Sequence, residues 1–150
     1  MILAKHVITI YNKYMIMPSN WQGGIPPSSQ EAWNRTVIKY AQWEDSTDRN
    51  AGNDGKNFID KHIAIIIPKT ANTGGKKYIT PIEWAALPTA QIPQSWTLTV
   101  GNVIAYGEAP EITSAYTMAT MKNNFKNCEI RAIEDLTDQP IMPHFEILGV

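Results

Sequence analysis

The stretch Trp96–Glu108, WTLTVGNVIAYGE, constrains the fold more than any other part of the chain. It opens with strict alternation. Trp96, Leu98 and Val100 fall on one face and Thr97 and Thr99 on the other, the period of a half-buried strand. The pattern breaks at Gly101-Asn102 and resumes as Val103-Ile104-Ala105-Tyr106. A glycine at such a break marks a bulge, a bend or a tight turn. Short strands joined at corners build small barrels and sandwiches. The expected core is Trp96, Leu98, Val100 and Ile104, with Ile63 and Ile65.

The remaining strands follow from the same pattern. Residues 2–11 place Ile2, Ala4, Ile8 and Ile10 on one face, interrupted by His6. Residues 36–43, TVIKYAQW, are β-branched and aromatic, and the run KHIAIII over 61–67 predicts burial on both faces. Gly74-Gly75 predicts a turn from which 77–79 pairs back. Cys128, Ile130 and Ala132 alternate as one more strand, and Phe145 with Ile147 puts a last one at 144–149. Two segments read as long loops: 17–32, rich in Pro, Gly and Ser, and 44–57, EDSTDRNAGNDGKN. Thr80-Pro81-Ile82-Glu83 carries a capping box with Pro at the first helical position, and Pro88 ends that helix after about two turns. Ile112, Ala115, Tyr116 and Ala119 predict an amphipathic helix over 111–122. The expectation is one mostly β domain over residues 1–150. Its form is a small antiparallel barrel of SH3- or OB-like kind, with one or two short helices and long loops.

Charge and cysteine usage narrow the function. The 150 residues carry 13 basic and 14 acidic side chains, a net charge of −1, which argues against a large basic face for gripping duplex DNA. The single cysteine, Cys128, allows no intrachain disulfide and fits a reducing compartment. The opening MILAKHVITIYNKYM interrupts its apolar run with charge and does not read as a signal peptide, and no segment reads as a membrane span.

Chemistry is sparse. The turn Thr73-Gly74-Gly75-Lys76-Lys77 lacks the glycine at 70 and the Ser or Thr at 77 that a phosphate loop needs. Asp45, Asp48, Asp54 and Gly55 lack the spacing and closing glutamate of a calcium loop. His6, His62 and His144 sit on three separate strands without a partner at ligand spacing. Cys128 alternates with apolar residues as a small hydrophobe. Glu108 and Glu111 read as a solvated loop-to-helix junction. The sequence therefore predicts no catalytic residue, no metal and no cofactor, and a protein that is not an enzyme.

The order HVITIYNKY, TVIKYAQW, IAIIIP, YITPIEWAAL, WTLTVGNVIAYGE, CEIRAIED and HFEI resembles small head–tail connector, or minor capsid, proteins of long-tailed phages and prophages. The strongest match is WTLTVGNVIAYGE, with Asn102 where those proteins carry Asp. The resemblance implies a head-closure, or stopper, barrel. Such a protein sits in the virion neck after assembly in the bacterial cytoplasm, as a homo-oligomeric ring of about six or twelve copies. Its implied partners are its own copies, the portal and adaptor above, and the tail terminator or tail tube below. Packaged DNA lies close by without specific contact, and no membrane is involved. The resemblance also implies that the second-to-third strand loop enters the channel, here with Glu44, Asp45, Asp48, Arg49, Asp54 and Lys56. Mixed, slightly acidic charge there passes DNA without holding it. A tail-completion or tail-terminator ring is the alternative within this class. A soluble OB- or SH3-like binding module, marked by a basic groove with stacking aromatics, is the alternative outside it.

Overall fold

The computed structural model describes residues 5–16, 30–51 and 57–150. In chain order the strands are β1 (His6–Ile16), β2 (Gln30–Ala51), β3 (Asn57–Pro68), β4 (Lys77–Tyr78), β5 (Ser95–Trp96), β6 (Val103–Tyr106), β7 (Asn127–Leu136) and β8 (His144–Gly149). The helices are α1 (Pro81–Ala85) and α2 (Met118–Asn124), with a 3-10 helix at Thr89–Gln94. Six strands close an antiparallel barrel in the order β1-β2-β3-β8-β7-β6, and β4 and β5 form a separate parallel pair. Closure leaves no sheet edge within the barrel wall.

The barrel interior is aliphatic. Ile8, Ile38, Ile65, Leu98, Ile104 and Ile130 are all buried there. β1 and β6 are buried on their outer side as well, because the chain after β6 folds back over them. Thr9 Oγ1 donates to the Gly107 carbonyl at 2.7 Å and accepts from Ala109 N at 2.9 Å, and Tyr11 Oη donates to the Pro110 carbonyl at 2.7 Å. Tyr11, Val103, Ala105, Ala109 and Met121 form a second cluster under this cover. Burial raises the Tyr11 hydroxyl well above the ordinary phenol range.

Of the expected core, Trp96, Leu98, Ile104 and Ile65 are buried, and Ile63 packs half-buried against them. Val100 is not core; it is 59 % exposed. The ladder stops at Trp96, and 97–102 turns instead of continuing as a strand: Asn102 N donates to the Thr99 carbonyl at 3.0 Å, with Gly101 at φ +94°. That left-handed backbone is the reason for glycine there. Thr97 is fully buried rather than outward, because the Asn12 side chain takes the place of a neighbouring strand.

Other boundaries move for identifiable reasons. Residues 30–32 and 44–51 are strand, not loop, because β2 is 22 residues long and stays paired apart from a bulge at Tyr40. The rest of the predicted loop at 17–32 lies outside the described residues. β4 does not fold back across Gly74-Gly75; it runs parallel to β5. The predicted capping box forms, with Thr80 Oγ1 accepting from Glu83 N at 3.3 Å, but α1 is only five residues long. The helix predicted over 111–122 begins only at Met118. Thr113 Oγ1 accepts from Ala115 N and Tyr116 N, which holds a turn in place of a helical one. Ala115 and Ala119 are exposed, and Glu108 and Glu111 stand clear of any helix start. In β7 a bulge between Ile130 and Ala132 turns Ala132 outward and brings Ile133 against the core.

Candidate functional site

The polar segment between the second and third predicted strands is part of a long hairpin. β2 pairs with β1 only as far as Ala41 and then with β3 from Gln42 to Ala51. β3 in turn meets β8 only from Ile63 onward. Among the described residues, the part from Ser46 to Ala51 and Asn57 to His62 pairs with no third strand. It is an arm of two strands that carries on past the barrel wall. Its sequence is polar over 46–50, as expected where no layer is left to pack against, while the facing strand carries Phe58 and Ile59 among polar residues.

Glu44 lies opposite Ala64 and Asp45 opposite Ile63 at the base of the arm, Asp48 opposite Asp60, and Arg49 opposite Ile59. Asp54 and Lys56 lie outside the described residues. Asp45 forms an ion pair with Lys126. The Lys126 hydrogen bond holds the Asp45 carboxyl below the ordinary carboxylate range. Both side chains are half exposed, so this pair contributes little to stability.

An aromatic group sits under the arm. Trp43 N donates to His6 Nδ1 at 3.0 Å. Tyr106 stands 5.5 Å, centroid to centroid, from both the His6 and the Trp43 rings. Sequence reasoning placed His6 as an interruption of an apolar face. Its role as acceptor for a backbone N–H at a residue 37 positions away had no local signal.

A second aromatic group packs around Phe145 of β8. Tyr78, Trp96 and Phe145 lie with ring centroids 4.6 to 5.9 Å apart. They floor a pocket of about 300 Å3 that Lys69, Thr73, Lys76 and Thr137 also line. Lys76 Nζ donates to the Arg35 carbonyl and to Thr36 Oγ1, and burial lowers its pKa. The predicted turn at Gly74-Gly75 forms beside it, with Gly74 N donating to Asn72 Oδ1 at 2.9 Å.

His6 lies on β1, His144 on β8 and His62 on the arm strand β3, three separate strands. Among the described residues no three of His, Cys, Asp and Glu gather at metal-ligand distance. Cys128 is buried, and burial pushes its thiol up to about 12, so it carries no thiolate for nucleophilic attack near neutral pH. No helix among the described residues is long and apolar enough to cross a membrane.

Comparison with curated proteins and with solved structures finds no match. The model of the family of unknown function DUF6751 matches residues 3–150, nearly the whole sequence, and the chain belongs to that family.

Proposed function

We propose that this chain is a structural neck protein of a phage or prophage, a head-closure ring that retains packaged DNA and offers the surface on which the tail docks. One observation carries the reading. The barrel sends out the β2–β3 arm, whose paired strands leave the wall beyond Asp45 and Ile63 and whose sequence, Phe58 and Ile59 apart, is polar with mixed charge. In a ring, copies of such an arm converge on one channel. Over 46–62 three carboxylates interspersed with three cations cross a DNA path without gripping phosphate, since grip needs clustered Lys and Arg. The described residues offer interface geometry and no nucleophile poised beside a base, which favours a structural role over a catalytic one.

The partners in this reading are further copies of the chain, the portal and adaptor on the head side, and the terminator or tube on the tail side. Electron microscopy of the purified protein tests it, with rings as the expected product. Replacing 47–60 by a short turn should leave the rings intact and release packaged DNA from particles. A protein that stays monomeric at every concentration, or particles that keep their DNA without the arm, would remove the basis for this function.

A further inference from the structure

Two apolar surfaces of the barrel are uncovered, and they lie on opposite flanks. The first is α1, none of whose residues is buried; Ile82 is 86 % exposed. Its position is nevertheless fixed. The Thr80–Glu83 capping box holds its start, and the Trp84 indole donates to the Lys13 carbonyl at 3.3 Å, on the part of β1 beyond its pairing with β6. A short helix with no buried side chain, tied down at both ends, presents a surface rather than a packing face.

The second surface is the outer side of β3, β8 and β7. Register sets Ala64, Leu148 and Ala132 in one row across the three strands. An open groove of about 520 Å3 runs over this row, and Leu148 is 41 % exposed in it. In the adjacent row Ile66, Glu146 and Glu134 stand side by side. The groove is thus apolar along its floor and acidic along one side. In the closed order β1-β2-β3-β8-β7-β6, β8 is three strands from β1 in either direction, so the strand that anchors Trp84 and the strand that carries Leu148 stand across the barrel from each other.

We propose that α1 of one copy seats in the β3–β8–β7 groove of the next, and that this contact, repeated, closes the ring. The proposal rests on the ring reading above. A ring needs two different patches that face away from each other on each subunit, which is the arrangement here. Charge agrees with the choice of a second copy. The strand leading into α1 exposes Lys77, while the groove presents Glu134, with Glu146 beside it paired to His144, and α1's own Glu83 is occupied by its capping box. Exposed apolar patches rimmed by polar groups mark association surfaces.

Cysteine cross-linking of the full chain tests the contact, because the native cysteine is single and buried. Ile82→Cys alone and Leu148→Cys alone should give no covalent dimer under mild oxidation. The two variants coexpressed should give a dimer, and the double variant a ladder of covalent oligomers. In parallel, Ile82→Asp should weaken assembly at least about tenfold without lowering the unfolding temperature, and pairing Lys77→Glu with Glu134→Lys should restore what either change alone weakens. Rings by electron microscopy with no ladder in the double variant would overturn this contact and leave the ring reading standing. A wild-type chain that never associates would overturn both.

Discussion

The Asn12 carboxamide lies against the Thr97 peptide as a neighbouring strand would. Its Nδ2 donates to the Thr97 carbonyl at 2.8 Å, and its Oδ1 accepts from Thr97 N at 3.1 Å. Nδ2 also donates to Asn102 Oδ1 at 3.0 Å, and all three residues are buried. Both main-chain polar groups of one residue, in a stretch that has left the ladder, are satisfied by a single side chain.

Replacing Asn12 by Leu keeps the volume and removes both partners. Each buried group left unsatisfied costs about 1–3 kcal/mol, so Asn12→Leu should destabilise by about 2–5 kcal/mol. Urea unfolding measures it. A loss under about 1 kcal/mol would mean that the 97–102 segment finds other partners.

Leu98 and Val100 separate core from surface two residues apart. Leu98→Ala should cost about 2–5 kcal/mol as a cavity mutation, whereas Val100→Ala should stay within about 0.5 kcal/mol. Equal costs in denaturant titrations would contradict the turn at Val100-Gly101.

Gly149 is held to its size by Cys128. A Cβ at position 149 would lie 2.5 Å from Cys128 Sγ and 2.9 Å from its Cβ. Gly149→Ala should therefore destabilise by about 1–3 kcal/mol, and Cys128→Ala in the same chain should recover part of the loss. A simple sum of the two single effects in a double-mutant cycle would show that the two positions do not share this space.

His144 gives the fold a pH dependence of predictable sign. Its Nδ1 faces the Met142 carbonyl at 2.5 Å and its Nε2 faces Glu146 Oε1 at 3.1 Å, two acceptors that a ring can serve together only as the imidazolium. The Met142 hydrogen bond, then that of Glu146, raises its pKa above the ordinary 6.5. A group raised in the folded state contributes its full stabilisation below 6.5 and loses it as the pH climbs through the raised value. Unfolding midpoints followed from about pH 5 to about pH 9 should fall over that window, and His144→Gln should flatten this part of the profile. An unchanged profile in the variant would assign the slope elsewhere.

Much of the fold was legible because burial writes itself into alternation. The inward Ile8 and Ile10, Ile65 and Ile67, and Phe145 and Ile147 all sit at spacing two on strands near their expected places. The outer half of β2 was illegible for the converse reason. Residues 46–51 pair only with β3, and a two-stranded arm needs no apolar face. Ile112 and Tyr116 misled by real spacing: both pack under the barrel's outer cover, but the Thr113 hydroxyl shapes their backbone as a turn. The polar character of the candidate channel segment was readable. Its strand pairing, and the exposure of α1 on the flank opposite the β8 groove, depend on contacts between residues far apart in sequence and left no local mark.

The position of β8 sets the order of events when the chain is made. β8 fills the gap between β3 and β7, so a polypeptide emerging from the ribosome holds two open edges until residues 144–149 have followed. Those edges belong to the two strands that carry Ile65, Ile67 and Ile130. Until the last strand arrives they are templates for pairing with another chain. Closure by contacts this distant is slow in its nature. A nascent chain stalled before residue 144 is therefore the form of this protein most exposed to aggregation, and the arrival of β8 is itself the step that protects it.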